Sequence, residues 1–412
     1  MPGRIKVLDS ANKTMQRLGY LKLLCLIASN TDTSSIISLG QRVLDKVLLK
    51  IKLFPPFHQS ILEYAKSRLT DRAYKYLRKS ILENSAPVNI EIQDMYLADN
   101  KLVSGTGKLV ETDFKKYPSL GTSLNLIKSG TYSSLTRSLI LLALTPKEEL
   151  AAFSKYNPEY NPFTISDAQS ILFLYCFIEN DADVLLPIFK NILEYGEKTF
   201  NEREISDTLP IILRNVVSEY SRLSLTIEER ERIQSINNTA AKIESWKGKP
   251  YTGGGVREET IRVRIEPFCD LRFLNKPDRF KFEYTSSNEL KILVDHLSIS
   301  ENPEKFLYNN FFSTFAKSKG WITKDAEDKD SIDFLVKAGQ LLKSTLGFSP
   351  ITDVGLLASI NLLIEKRVVL ELNRVTELLK LLQKRDPDFV RFTVNRMGEM
   401  TYVKFLKPYP NL

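Results

Sequence analysis

The sequence predicts a mainly α-helical protein with short β-hairpins, organised as several units joined by helices. Three observations carry that reading. Long stretches place apolar residues at helical spacing. Short runs that alternate apolar and polar residues follow directly after some of those stretches. Proline, glycine and asparagine punctuate the joints. At 412 residues the chain has room for about two to four domains. A hydrophobic content of 43% is enough to bury ordinary cores.

Residues 1–110 form the first expected unit. Ser34–Lys52 carries Ile36, Leu39, Val43, Val47 and Ile51 near helical spacing, and Pro55-Pro56 ends it. His58–Glu83 reads as a second helix. Val88, Ile90 and Ile92 alternate with polar residues as a strand does, and Ser104–Gly107 reads as a loop. Residues 111–250 read as helices plus a connector. Thr131–Ala143 is amphipathic, and Ser166–Glu194 is long and apolar, with Pro187 expected to kink or split it. Asn201–Leu223 is a helix with Asn201 as N-cap and Glu204 as the return partner of a capping box. Ile227–Ala241 is a charged helix, and Trp246–Gly255 is a flexible joint rich in glycine.

Residues 251–300 form the next unit. A helix is expected from Arg257 to Leu274, then a turn at Asn275–Asp278 and a strand at Phe280–Tyr284. The alternation at Ile261–Ile265 also permits a strand, and Pro267 argues against an unbroken helix. Residues 301–348 are a helical linker with a charged loop at Lys324–Asp330. The last unit, 349–412, has helices Asp353–Arg367 and Asn373–Lys384, broken at Asp386-Pro387. Strands Phe389–Val394 and Met400–Leu406 follow, joined by the turn Asn395–Gly398.

Helices that end in a β-hairpin, at 349–412, at 251–300 and more loosely at 34–110, resemble the winged-helix form of the helix-turn-helix superfamily. The resemblance is architectural and names no single family. It implies multiple winged-helix-like domains, a helix before each hairpin that enters the major groove, and wings that touch the flanking backbone.

Charge distribution bears on the same point. The chain holds 58 Lys+Arg against 50 Asp+Glu, a net +8, which suits a nucleic-acid partner without requiring one. Clusters matter more than the total. Residues 42–79 hold ten basic and three acidic side chains, with Arg68, Arg72, Lys75 and Lys79 on one helix face. Residues 257–281 hold seven basic and five acidic, including Arg257, Arg262, Arg264 and Arg272. Residues 366–404 hold nine basic and five acidic, including Lys384, Arg385 and Arg391, with Arg396 at the hairpin tip. These twelve residues are the candidate DNA contacts. The competing reading of each cluster is a solvated face with internal ion pairs, such as Glu258–Arg262.

Catalytic chemistry finds little footing. His58 and His296 are the only histidines and lie far apart, and Cys25, Cys176 and Cys269 are scattered in apolar settings. No metal site and no cofactor is expected. Gly105–Lys108 lacks the glycine and the hydroxyl residue of a phosphate loop, because Leu102 and Leu109 stand there. Gly253–Gly255 has no strand before it. Asp278, Glu289 and Lys291 have the spacing of a metal-dependent nuclease, but Asp278 falls in a turn and Glu289 opens a helix. No apolar run has the ~18–20 residues of a bilayer span, so a cytoplasmic or chromosome-associated protein is expected. The reading is a non-enzymatic DNA-binding protein, the recognition part of a larger regulatory or defence assembly. The alternatives are a protein–protein adaptor on the same fold, or the nuclease.

Overall fold

The computed structural model of the chain describes residues 5–8, 18–28, 117–127, 136–149, 164–245, 259–277, 282–300, 302–343, 347–395 and 399–406. The helices and strand expected over residues 34–110, the glycine-rich joint, and Arg68, Arg72, Lys75, Lys79, Arg257, Asp278 and Arg396 lie outside them.

A mainly helical fold with few, short strands is what the described residues form. Helices α1 (Leu18–Ala28), α2 (Tyr117–Ser123) and α3 (Thr136–Ala143) precede the longest element, α4 (Asp167–Glu194). Ser166 caps α4 through a reciprocal box with Gln169, which satisfies two of the helix's orphan amides. Pro187 does not split it: the helix runs unbroken to Glu194. Packing on several sides of this helix outweighs the one hydrogen bond that proline removes.

Strand β1 (Phe200–Asn201) leads into α5 (Glu202–Ser206), and the expected box between Asn201 and Glu204 is formed. The single helix expected over Asn201–Leu223 is two, because the chain turns at Asp207–Thr208 before α6 (Leu209–Tyr220), with Pro210 near its start. Helix α7 (Ile227–Ser245) folds back on α6. Next come α8 (Glu259–Asp270), β2 (Leu274–Asn275) and β3 (Glu283–Ser286). Helix α8 therefore stops short of Leu274, which belongs to a strand, and Pro267 is accommodated inside it. The three strands form one antiparallel sheet in the order β1-β3-β2, with Phe200 opposite Tyr284 and Leu274 opposite Ser286.

Helices α9 (Asn288–Ile299), α10 (Pro303–Asn309) and α11 (Phe311–Ser318) follow. The expected charged loop is instead strand β4 (Lys324–Asp325) and the first turn of α12 (Asp328–Leu341). Asp328 and Asp330 sit in that turn, where the helix dipole favours acidic groups. The chain closes with β5 (Ser349–Pro350), α13 (Ile351–Lys366), β6 (Val368–Val369), α14 (Leu372–Arg385), β7 (Val390–Val394) and β8 (Met400–Phe405). Strand β6 pairs in parallel with β4, and a second antiparallel sheet has the order β5-β8-β7.

One apolar core joins these elements, from Ile5 to Val403. Helix α4 packs against α6, α9, α10 and α13. Its polar stretch Glu179-Asn180-Asp181-Ala182-Asp183 reaches a different element with each polar residue. Glu179 takes a bidentate pair from Arg137 of α3, and Arg137 also reaches Asp353 of α13 at 3.2 Å. Asn180 accepts from Asn125 at 2.6 Å. Asp181 takes Arg264 of α8 at 2.7 and 3.0 Å and the Leu8 amide at 2.9 Å. Asp183 accepts the Lys6 amide at 2.7 Å and the Tyr220 hydroxyl at 2.8 Å.

Two outcomes follow. Asp181 and Arg264 are 0% and 1% exposed at their side chains, so removing either leaves a bare buried charge. Asp181→Ala or Arg264→Ala is expected to cost about 3–5 kcal/mol of unfolding free energy, read from denaturant midpoints. The Asp183 carboxyl is pushed up by burial from 3.8 to about 6. A folded value above the unfolded one gives stability that is full below the unfolded value and lost as pH rises through about 6. Wild-type protein should therefore gain stability between pH 7 and pH 5 from this group, and Asp183→Asn should lose that gain.

Candidate nucleic-acid interface

Residues 328–406 carry several of the exposed cations. Helix α14 forms because Leu372, Val375, Leu378, Leu379 and Leu382 recur at helical spacing and bury one stripe. Its outward stripe carries Asn373, Glu377, Lys380, Leu381, Lys384 and Arg385, all exposed. Lys380 and Lys384 stand one turn apart. Nearer the N-terminus the charges cancel: Arg374 donates to Glu377 at 2.6 Å and to Asp328 at 2.9 Å. The helix is positive at its C-terminal half and neutralised at its N-terminal half.

Glu371, just before α14, anchors that end. It accepts the amides of Phe312 and Ser313 at 3.2 and 2.8 Å, so it caps α11 from a distant part of the chain. Burial raises its carboxyl above the usual range, against those amide hydrogen bonds. Helices α12 and α13 pack on α14 and on each other.

The sheet lies beside them. Val390 pairs with Phe405, Arg391 with Lys404, Phe392 with Val403 and Thr393 with Tyr402. Side chains alternate across a sheet, so Val390, Phe392, Val403 and Phe405 share one face. Those four belong to or pack on the core. Arg391, Thr393, Tyr402 and Lys404 share the opposite face. The expected turn is closed by the Asn395 amide, which donates to the Glu399 carbonyl at 2.8 Å, and by the Asn395 side chain on the Glu399 carboxylate, also at 2.8 Å.

The central unit is connected differently. Among the described residues four helices (α5, α6, α7 and α8) stand between β1 and the β2–β3 hairpin, although β1 pairs with β3. Here α8 is an interior helix: from Thr260 to Phe268 every residue but Arg262 is buried. Arg262 forms a bidentate pair with Glu202 and lies over the Phe282 ring at 3.7 Å. Arg264 is sealed against Asp181. These two candidates are counterions of the core and present no guanidinium to a polyanion. Arg272 is exposed, in a left-handed conformation (φ 62°) just past α8.

Among the sequence candidates, then, Lys384, Arg385 and Arg391 are exposed in the last unit, Arg272 is exposed just past α8, and Arg262 and Arg264 are internal. Lys380 and Lys404 were not singled out. The i, i+4 spacing of Lys380 and Lys384 was a readable signal. Lys404 needed the strand register.

Other chemistry has little to work with. Cys25 and Cys176 are buried, and burial pushes both thiols up to about 12, so neither supplies a thiolate. Glu289 and Lys291 sit in the first turn of α9, whose N-cap is Ser287, and not on paired strand ends. Among the described residues no group of three or more His, Cys, Asp or Glu is placed to hold a metal, and no helix is long and apolar enough to cross a membrane.

No protein-family model, curated protein or solved structure matches the chain.

One residue fixes the sheet against the helices. A Cβ on Gly339 of α12 would stand 2.2 Å from the Phe405 ring, which also packs on Phe389 with centroids 5.8 Å apart. Gly339→Ala should push β8 off α12 and lower stability by about 1–3 kcal/mol, measured by denaturant unfolding.

Proposed function

We propose that the chain is a DNA-binding protein and that residues 328–406 are a winged helix that docks on duplex DNA. One observation carries the reading. The order helix, strand, helix, short strand (β6), helix, hairpin, with β5 pairing to β8, includes before the hairpin a helix whose outward stripe bears Lys380, Lys384 and Arg385. In winged helices the helix before the hairpin enters the major groove, whose width admits it.

The charge gradient along α14 gives the docking direction. Its C-terminal half lies against phosphates, where each lysine neutralises one charge and releases a counterion. Its N-terminal half, with Arg374 already paired to two carboxylates, contributes no net attraction. The central unit has a different order of elements and buries the helix before its hairpin in the core, so in this reading it is a scaffold. Arg272 is left out of the interface for the same reason.

Binding of a random-sequence duplex is the test, followed by fluorescence anisotropy between about 50 and 200 mM salt. The logarithm of the association constant should fall linearly with the logarithm of salt concentration. Lys380→Ala with Lys384→Ala should reduce the slope by about 1.8, at about 0.9 per phosphate contact. No binding at the lowest salt, or an unchanged slope in the double variant, would overturn the proposal.

A further inference from the structure

The β5-β8-β7 sheet has two edges of different kinds. Strand β5 is two residues long, and Pro350, one of the two, has no N–H to offer a further strand. Strand β7 is five residues long, contains no proline and stands at the other end of the order. The bulge between β7 and β8 puts the extra residue, Thr401, on β8, so β7 itself stays regular.

The ladder shows which backbone groups of β7 face outward. The Leu406 amide donates to the Phe389 carbonyl at 2.8 Å, which makes these two residues a hydrogen-bonded pair. Such pairs alternate along an antiparallel ladder. Arg391 and Thr393 therefore bond β8, while the N–H and C=O groups of Phe392 and Val394 point away from it. Val390, at the start of the strand, is fully buried, whereas Val394 is 62% exposed. Among the described residues no strand pairs with this edge.

The edge is complementary to itself. An antiparallel pair with its twofold axis at Thr393 sets Phe392 opposite Val394 of a second copy, and Val394 opposite Phe392 of that copy. The outward groups of both residues then bond in two hydrogen-bonded pairs. The side chains agree with the backbone. An aromatic ring meets a β-branched residue twice, and Thr393 meets Thr393, pairings that stabilise a ladder. Arg391, the one charged residue of β7, falls opposite Asn395 and not opposite itself. An axis at Phe392 would instead call on the buried Val390.

We propose that β7 pairs with β7 of a second copy of this chain and joins two three-stranded sheets into one. The added ladder takes only Phe392–Val394 from each copy, far less than the roughly 1,200 Å² that a stable complex buries, so the association is weak and depends on concentration. The duplex contact proposed on α14 uses none of these residues, and either reading can fail alone.

Sedimentation of the full chain tests the association. Between about 10 and 500 µM the weight-average mass should rise from that of one chain toward that of two. Val394→Pro removes an outward N–H and none that bonds β8. It should keep the Tm near that of the wild type and weaken association about five- to hundredfold, since each pair of copies loses two hydrogen bonds. Thr393→Cys reads the register. A non-hydrogen-bonded pair brings Cα atoms to about 4.5 Å, within disulfide range, so this variant should give a disulfide-linked dimer when oxidised by glutathione disulfide. Arg391→Cys should not, because its two copies stand about 14 Å apart along the strands. A wild type that stays monomeric at the highest concentration overturns the proposal. So does a Val394→Pro variant that associates like the wild type, or a Thr393→Cys variant that cross-links no faster than Arg391→Cys.

Discussion

Burying α4 is possible only because its polar turn is satisfied from outside. Seventeen of its residues are buried, and at its centre stand Glu179, Asp181 and Asp183. A carboxylate taken out of water costs several kcal/mol unless it is paired and hydrogen-bonded. Each of the three meets that requirement through distant parts of the chain, Asp181 and Asp183 sharing the segment of residues 6–8. Glu179 recruits α3, Asp181 recruits α8 and the backbone of Leu8, and Asp183 recruits the backbone of Lys6 and Tyr220 of α6. Arg137 passes the constraint on to α13 through Asp353. Apolar packing around α4 tolerates small rotations and slips. The paired charges do not, so they choose one arrangement of helices among several that would bury similar area.

The same accounting reassigns cations. A basic cluster in a sequence is ambiguous until each charge is matched to its nearest carboxylate. Arg262 and Arg264 find theirs 60 and 83 residues away, and no local pattern reveals a partner at that distance. The ion pair expected for Arg262 with Glu258, one turn earlier, lies outside the described residues, and the pair described is with Glu202. Lys384 and Arg391 remain on the surface because the elements that carry them close the fold, with only one face turned inward.

What was legible followed from periodicity. Helices α13 and α14 and strands β7 and β8 fall within a few residues of expectation, since Val375, Leu378, Leu379 and Leu382 announce a helix, and Phe392, Val403 and Phe405 announce a half-buried sheet; β5 and β6 were not expected. The N-cap at Asn201 was readable because a capping box is a local event. Proline was the weaker guide. Pro187 and Pro267 both lie inside helices, where tertiary burial repays the lost hydrogen bond. The break at Asp207–Thr208 has its local trace in Pro210 at the start of α6, whereas the strand at Lys324–Asp325 depends on a partner far along the chain, Val368, and leaves none.

In two parts of the chain a strand pairs with the second strand of a later hairpin, and a helix leads into that hairpin. The difference lies in what covers that helix. Around α8 the neighbours α4 and α5 supply Asp181 and Glu202, and its arginines turn inward. Around α14 the neighbours α12 and α13 supply leucines, valines and one surface aspartate, and its lysines turn outward. The helix before each hairpin is therefore internal or exposed according to where the neighbouring carboxylates fall.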